Sequence, residues 1–273
     1  MSTETLPRVA LCTPHGAGGF GPGYLRSFVR TYAVLKSEFT IVQADFGPSS
    51  LVALNRNSLV AIALHAGADV VLQVDADQVW SPDDVRAVVE PIVAGHARFV
   101  GAPIAGRVVD WQRVHAACAR GVPPEELHRH GARVNVQLRS EDIETKRPRW
   151  FRFRERFFVR CYTVGLGLTA ISASALREMA ALVPAYPEPL APGGIAWDLH
   201  PQGASAAHYC GEDSGLCMVA ERAGIERWVC AQGTDVGHEL GSNRFHQAWL
   251  AELIADDYRF DEDGAVALTG AAP

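Results

Sequence analysis

Short apolar runs and longer amphipathic stretches alternate along the first hundred residues of the chain. Apolar runs without alternation are typical of parallel strands that are covered on both faces, and they predict strands at 8–13, 39–45, 70–74 and 97–106. Apolar positions at helical spacing predict helices at 24–37, at 51–66 and in the stretch after Ser81. Strands joined through helices favour an α/β fold with a doubly wound, mostly parallel sheet and helices on both faces.

The pattern becomes polar and irregular at about residue 107 and stays so to about residue 160. We interpret this segment as an insertion or a β-rich flap rather than as another strand–helix unit. Regular signals return afterwards, with near-regular structure at 163–172, a strand at 225–230, and helices at 173–182, 213–223 and 242–257. The last dozen residues are predicted to be frayed.

Composition narrows the class of protein. Of the 273 residues, 48% are hydrophobic and 21% are charged, which is ordinary for a globular chain. The net charge of −6 argues against a wholly basic nucleic-acid binder, although it does not exclude a local basic patch. The sequence shows no signal peptide, no stretch suited to span a bilayer and no CxxC pair among its six cysteines. The expectation is a soluble, cytoplasmic protein with reduced thiols.

Two aspartates, Asp75 and Asp77, follow directly after the apolar run 70–74. If the chain stays extended, period-two geometry sends both side chains to one side, and Ala76 leaves room for a ligand. The carboxyl edge of a parallel sheet is where open α/β folds bind small molecules. Two carboxylates at that edge suit Mg²⁺ or Mn²⁺. The other interpretation is a turn closed by a local side-chain hydrogen bond.

Helix capping is a weak explanation for these two aspartates. The next helix already has a predicted N-cap, Ser81, followed by Pro82 and by two acids, Asp83 and Asp84, that suit its dipole. The pair at 75 and 77 therefore favours a metal site.

Two further candidate sites lie near predicted loops. Glu212 and Asp213 begin an amphipathic helix, where acids usually cap and complement the dipole. A carboxylate that faces the sheet edge could also act as a general base. His238 lies in a loop after a strand, and it is either a third metal ligand or a solvated loop histidine. Sequence position alone does not decide either case.

A competing signal follows the first strand. Residues 16–21, GAGGFG, match the G-x-G-x-x-G pattern of dinucleotide sites, with Asp45 some two dozen residues further on. The loop continues through Pro22 and Gly23, however, so the pyrophosphate would not meet a helix N-terminus. A mobile glycine-rich loop is the favoured interpretation, and an NAD(P)-linked oxidoreductase is the alternative.

The segment 146–160 combines seven cations and one acid with five aromatic residues. Arg152, Arg154 and Arg156 alternate with phenylalanines, as in a half-buried strand. One interpretation is an edge strand with solvated arginines. The other is a polyanion track, with arginines for phosphates and exposed aromatics for bases, as in a nucleic-acid-binding protein. Trp197 and Asp198 could bind an acceptor sugar or base, or could only close a loop.

Taken in order, these residues resemble the nucleotide-sugar glycosyltransferases of the GT-A fold, close to the family 2 type and to bacterial and phage relatives. The resemblance rests on Thr13-Pro14, LNRNSLV (54–60), VDAD (74–77), VGAPIAGR (100–107), VGLGLTAIS (164–172), GEDSGLCMVAERAG (211–224) and VGH (236–238). It covers about residues 8–240, and the combination is more specific than any one motif. It implies one GT-A domain over 1–260, with a nucleotide-binding half at 1–106, an acceptor half at 107–260 containing the insertion at about 107–160, and a flexible tail at 261–273.

The resemblance also implies roles for individual residues. The nucleotide and donor sugar would be bound by Thr13, Pro14, Asp45, Arg56, Asp75, Ala76, Arg107, Gly165 and Gly167. The metal, Mn²⁺ or Mg²⁺, would be held by Asp77, Asp75 and His238. The acceptor hydroxyl would be deprotonated by Asp213, with Glu212 beside it. The acceptor itself would be bound by Trp197, Asp198, Arg152 and Arg154.

The implied activity is transfer of a sugar from a UDP- or GDP-sugar to an acceptor hydroxyl. Attack by a base-activated hydroxyl from the face opposite the leaving group would invert the anomeric configuration. The acceptor is either DNA with hydroxymethylated bases, as for some phage relatives, or a glycan, and the sequence leaves both open. The five glycines between Gly16 and Gly23 depart from the family pattern, so no donor contact is implied there.

Overall fold

Strands and helices alternate along the chain in the computed structural model, which describes residues 5–16, 19–45, 51–204, 209–234, 236–238, 258–260 and 264–265. The strands are β1 Arg8–Thr13, β2 Thr40–Asp45, β3 Val70–Val74, β4 Gln78–Val79, β5 Phe99–Gly101, β6 Ala105–Val109, β7 Ala132–Val134, β8 Val136–Gln137, β9 Trp150–Phe153, β10 Arg156–Cys161, β11 Thr163–Val164, β12 Leu168–Ser172, β13 Ala185–Pro187, β14 Ile195–Trp197, β15 Gly203–Ala204, β16 Tyr209–Cys210, β17 Arg227–Cys230 and β18 Gly237–His238. The helices are α1 Pro22–Leu35, α2 Val52–His65, α3 Pro82–Val93, α4 Trp111–Ala119, α5 Leu127–His130, α6 Ser140–Thr145, α7 Ala173–Ala180 and α8 Glu212–Arg222, with short 3₁₀ turns at Pro124–Glu126 and Pro192–Gly194.

Eight strands form the central sheet in the order β2-β1-β3-β12-β5-β17-β10-β9. The pairs β2–β1, β1–β3 and β5–β17 are parallel, whereas β12 is antiparallel to both of its neighbours and the β10 pairs are antiparallel. The α/β class is therefore confirmed, but the sheet is mixed rather than doubly wound throughout. The strand β12 enters after the long excursion from β6 to β11, so no single crossover helix fixes its direction.

Helices cover both faces of the sheet, as the sequence predicts. One face packs residues of α1 and α3 against the sheet. The other face packs residues of α2, α7 and α8. Alternation along β3 separates the two cores, because Val70, Leu72 and Val74 face the first and Val71 faces the second. Gln73 shares the face of Val71, and it is a fully buried polar residue in an apolar strand.

Several helix ends follow the local signals in the sequence. Ser81 and Asp84 form a capping box at the start of α3, with Pro82 in the first turn. Gly67 after α2 and Gly224 after α8 adopt positive φ angles of 72° and 68°, which a glycine tolerates without strain. Helix α1 begins at Pro22, two residues before its predicted start.

The segment 107–160 differs from the expected β-rich flap. It contains α4, α5 and α6, and its last two strands, β9 and β10, belong to the central sheet. The strand predicted at 97–106 is also divided, because β5 lies in the central sheet while β6 pairs with β7 outside it. The helix predicted at 242–257 and most of the tail at 261–273 lie outside the described residues. No helix within the described ranges is long and apolar enough to cross a bilayer.

Helix α8 approaches the backbone of Pro201 as closely as a glycine allows. A Cβ atom built on Gly215 would lie 2.0 Å from the carbonyl oxygen of Pro201. Backbone cannot move aside as a flexible side chain does, so this contact fixes the first turn of α8 relative to the buried residue His200.

We expect Gly215→Ala to lower the free energy of unfolding by about 1–3 kcal/mol, the usual cost of overpacking. The measurement is urea unfolding followed by circular dichroism. The matched control is Gly16→Ala, because a Cβ at Gly16 meets no atom within 4 Å and the loop is exposed. Equal stability of the two variants would show that α8 can shift without cost.

Candidate functional site

The site begins where β3 ends at the carboxyl edge of the sheet. Residues 75–78 form a turn, in which the N–H of Gln78 donates to the carbonyl of Asp75 at 3.0 Å. The expectation that Asp75 and Asp77 extend the strand in period-two geometry is therefore wrong. The chain turns because Gln78 and Val79 form β4, which pairs with β18. Both aspartates remain half-buried at the sheet edge.

Arg56 is the cation of this site. It projects from α2 and is only 2% exposed, yet it is charged. Its guanidinium donates to Gln73 Oε1 at 2.9 Å and to Asp75 Oδ1 at 2.5 Å. Asp75 has 34% of its side chain exposed, so the ion pair has one buried and one open member. Of the two carboxylate oxygens of Asp75, Arg56 contacts Oδ1.

Asp213 lies in the first turn of α8 and does not cap that helix. Its Oδ2 accepts from Asn135 Nδ2 at 3.0 Å, and its Oδ1 is buried with no hydrogen-bond partner among the described residues. Burial raises the pKa of Asp213 to about 6, Arg56 and a hydrogen bond with the Leu166 backbone lower it, and Asp75 and Glu212 raise it further. The fold therefore brings Asp213, Asp75 and Arg56 within electrostatic reach of one another, across the chain.

Glu212 is the neighbour of this carboxylate. Its Oε2 accepts from Gln202 Nε2 at 3.0 Å, which ties the start of α8 to the segment that follows His200. This contact gives Glu212 a structural partner, whereas Asp213 keeps one oxygen without one.

The two predicted donor-site glycines lie beside these residues. The carbonyl of Gly167 accepts from the N–H of Asp75 at 3.3 Å, and the N–H of Gly165 donates to the carbonyl of Asn135 at 2.8 Å. A Cβ on Gly165 would meet Asn135 Nδ2 at 2.7 Å, and one on Gly167 would meet Gln78 Nε2 at 3.1 Å. A Cβ at either position would therefore force Asn135 or Gln78 to shift.

The remaining predicted nucleotide residues lie at neighbouring strand ends. Thr13 and Pro14 are buried at the end of β1, where Thr13 Oγ1 lies 2.6 Å from the hydroxyl of Tyr24. Asp45 ends β2 directly opposite Thr13 in the strand pairing. Arg107 lies in β6. The side chains of Asp45 and Arg107 lie outside the described part of the structure.

The backbone of His238 is described by the structure, and it lies in the short strand β18. It pairs with Gln78 across the β4–β18 ladder, so its main chain lies opposite the residue that follows Asp77. Its side chain lies outside the described part of the structure. Among the described side chains, no group of three or more His, Cys, Asp or Glu residues could hold a metal ion.

The glycine-rich loop separates β1 from α1 by residues 14–21, of which 17 and 18 lie outside the description. Phe20 stacks on Tyr24 at 4.7 Å between ring centroids, and a turn joins Gly16 to Gly19. The N-cap of α1 is Gly21, so the helix begins one residue after the G-x-G-x-x-G pattern ends. The prediction that the loop continues through Pro22 and Gly23 is wrong, because both residues lie in the first turn of α1.

The predicted acceptor residues divide into two groups. Trp197 and Asp198 lie at the end of β14, where Trp197 packs on the core next to α2. Arg152 and Arg154 lie in and after β9, the last strand of the sheet. Five strand spacings separate β9 from β3, roughly 24 Å at about 4.8 Å each. The structure therefore does not bring Arg152 and Arg154 to the aspartates.

Three residues of this site were missed by the sequence analysis: Gln73, Asn135 and His200. Gln73 did carry a signal, because a single amide in the run VVLQV needs a buried partner. Asn135 and His200 lie in irregular segments and gave no local signal.

Neither the protein-family models nor the sequences of curated proteins match this chain. Among solved structures the chain is similar to A197 from STIV, with 14% sequence identity, a TM-score of 0.46 and coverage of 86% of this chain and 87% of that chain. It is also similar to GalNAc-T7 in its crystal structure with UDP, GalNAc and Mn²⁺, with 12% identity and a TM-score of 0.44. That match covers 86% of this chain but only 44% of the GalNAc-T7 chain. Likenesses of this size carry no argument about function, which has to come from the site itself.

We expect Asp213→Asn to gain stability relative to the wild type as pH rises. The folded-state pKa of Asp213 lies above its ordinary value of 3.8, at about 6, so ionisation in this pH window favours the unfolded chain. Between pH 4 and pH 7 the difference in the free energy of unfolding should grow by about 2–3 kcal/mol in favour of the variant. Urea unfolding at a series of pH values measures it.

The control for that series is Glu178→Gln. Arg98 lowers the pKa of the exposed Glu178 carboxyl, so this variant should show a weak trend of the opposite sign. A pH-independent difference for Asp213→Asn would mean that its carboxylate is not destabilised by burial.

Proposed function

We propose that this chain is a divalent-metal-dependent glycosyltransferase that moves a sugar from a UDP- or GDP-sugar to an acceptor hydroxyl, with inversion at the anomeric carbon. One observation carries the proposal. Asp213, on α8, has a buried oxygen, Oδ1, that Asn135 does not engage, and it lies within electrostatic reach of Asp75 and Arg56 at the carboxyl edge of the sheet. Together with the motif resemblance, this arrangement matches a base facing a nucleotide-diphosphate site.

Asp75 and Asp77, with His238, would hold Mn²⁺ or Mg²⁺. Carboxylate oxygens suit these hard cations, and Arg56 occupies only one oxygen of Asp75. The pairing of His238 with Gln78 makes its position compatible with this ligand set. When bound, the cation would supply charge stabilisation for the phosphates of the leaving nucleotide.

Asp213 would act as the general base. With a pKa of about 6 it is ionised at neutral pH and still basic enough to take a proton from a hydroxyl. The acceptor oxygen then forms a bond to the anomeric carbon, and the bond from that carbon to the diphosphate breaks. Asn135 orients the carboxylate through Oδ2, which leaves Oδ1 for the proton.

A glycan is the acceptor class that we favour. Phe151 and Phe157 are buried, so they cannot stack on bases, and Arg154 is paired with Glu90 at 2.8 Å. These observations support the edge-strand interpretation of β9 over a DNA track. Trp197 and Asp198 lie on the segment that leads to His200 and are the remaining candidates for contact with an acceptor sugar.

The oxidoreductase alternative has less support. Eight residues, 14–21, separate β1 from α1, which is a longer connection than the tight glycine turn of a dinucleotide site, although Gly21 does cap the helix. The stacked pair of Phe20 and Tyr24 also fills space beside this loop.

We expect UDP or GDP to raise the melting temperature only together with Mn²⁺. A ligand at about 100 times its Kd adds about 2.7 kcal/mol of stability, enough to move the midpoint by several degrees. Asp77→Asn should abolish the shift because the metal loses a ligand, whereas Asp83→Asn, which removes an exposed acid at the start of α3, should keep it. A shift with NAD⁺ that ignores the metal would instead support the oxidoreductase.

We expect Asp213→Asn to bind UDP and Mn²⁺ like the wild type and to lose at least about 10²-fold in rate, as for a missing general base. The assay is release of UDP or GDP from the donor sugar, with mono- and oligosaccharides as acceptors. The wild-type rate should also fall as pH drops through about 6. An unchanged rate in Asp213→Asn would exclude this residue as the base.

A further inference from the structure

A buried histidine lies beside Gln73, the residue that accepts a hydrogen bond from Arg56. His200 is fully buried, and both of its ring nitrogens lie at hydrogen-bond distance from polar atoms. Nδ1 is 2.7 Å from Asn57 Oδ1, and Nε2 is 3.2 Å from Gln73 Nε2. Gln73 in turn contacts Arg56, so the histidine is linked to the site through one amide.

Asn57 determines which ring nitrogen carries the proton. Its side-chain oxygen accepts from the backbone N–H groups of Leu199 and His200, both at 3.1 Å. An atom that receives two N–H donors must be the oxygen of the amide, and it cannot donate to the ring. Nδ1 of His200 therefore donates, and in the neutral ring Nε2 is left as an acceptor.

The direction of every following hydrogen bond is then determined. Nε2 of His200 can only accept, so Gln73 must present its NH₂ group to the ring and its oxygen to Arg56. That oxygen accepts from Arg56 at 2.9 Å, and the second guanidinium nitrogen is directed at Asp75. Arg56 can only donate and so requires the Gln73 oxygen, which means that a histidine with its proton on Nε2 would set an N–H donor against the NH₂ group of Gln73.

We propose that His200 is a positioning residue, whose Nδ1–H tautomer orients Gln73 and thereby holds the guanidinium of Arg56 against Asp75. Its ring hydrogen-bonds Asn57 and Gln73, and it acts on the site through Gln73. The consequence for donor binding rests on the proposed function, whereas the tautomer and the direction of the chain do not.

Two features of the surroundings keep His200 neutral. Complete burial lowers its pKa well below the ordinary range, and the positive charge of Arg56 lowers it further. A proton on Nε2 would also break the acceptor position that Gln73 requires. The His200 ring therefore holds the Gln73 amide in one orientation across the pH range in which proteins are usually assayed.

A purely structural role is the competing explanation. His200 and Asn57 also connect the segment after β14 to α2, through the two backbone N–H groups. In that case the contact with Asn57 would matter and the contact with Gln73 would not.

Two substitutions separate these explanations, because each keeps one half of the ring's hydrogen bonding. His200→Gln places an amide oxygen near the position of Nε2 and keeps an acceptor for Gln73. His200→Asn places an amide near the position of Nδ1 and keeps a donor for Asn57. Urea unfolding of both variants first establishes that each is folded.

The first measurement is isothermal titration calorimetry with UDP in the presence of Mn²⁺. The proposal expects His200→Gln to bind within a few-fold of the wild type and His200→Asn to bind at least roughly tenfold more weakly, the size of a lost hydrogen bond in a chain that ends on charged groups. The reverse order would overturn it in favour of the structural role.

The spectroscopic arm uses the wild type alone and needs no ligand. The ¹⁵N spectrum of labelled protein should show His200 with a protonated Nδ1 and an unprotonated Nε2 from pH 5 to pH 8. A protonated Nε2, or a ring that titrates in this range, overturns the proposal. If UDP with Mn²⁺ does not bind the wild type, the proposed function fails, while this spectrum still decides the orientation.

Discussion

The burial of one guanidinium group organises this molecule. Arg56 is almost fully excluded from solvent, and a buried cation is costly unless it is paired and hydrogen-bonded. Gln73 and Asp75 satisfy its two terminal nitrogens, while Nε is buried without a partner among the described residues, and His200 holds Gln73 in the required orientation. Loss of Asp75 would leave an uncompensated charge in the core. The ion pair between Arg56 and Asp75 therefore contributes both to the stability of the fold and to the geometry of the site. Geometry at the sheet edge is thereby maintained before any ligand arrives.

Local signals predicted the parts of the fold that depend on local physics. The strand at 8–13 is confirmed at both ends, the strand at 70–74 begins where it was predicted, and the capping box at Ser81 forms as its residues require. Topology was harder to predict. An apolar run does not encode the direction of its neighbour, so the antiparallel β12 and the division of 97–106 into two sheets depend on tertiary packing. The turn at 75–78 was the less favoured of the two interpretations for the same reason, because β4 forms only through its pairing with the distant β18.

The candidate site shows the same division. Asp75 and Arg56 could be found because each lies in a motif near a predicted strand end, and the resemblance linked them to Asp213. Their supporting residues could not be found, since Asn135 meets Asp213 across 78 residues and His200 meets Gln73 across 127. Asn135 and His200 are polar residues in irregular segments, and their hydrogen-bond partners become adjacent only in the folded chain. Gln73 is the exception, because a lone amide in a buried strand requires one.

The charge balance at the sheet edge has a further consequence. Asp75 and Glu212 lie within electrostatic reach of Asp213, and Arg56 is the cation that acts on the same carboxyl, so acids outnumber cations in this group of described residues. This excess contributes to the raised pKa of Asp213, since Asp75 and Glu212 both oppose its ionisation. A diphosphate would add to the excess and would be repelled by it. A divalent cation reverses both effects, because it offsets the carboxylates and attracts the phosphates. The electrostatics of the residues themselves thus supply a reason for the metal dependence that we propose.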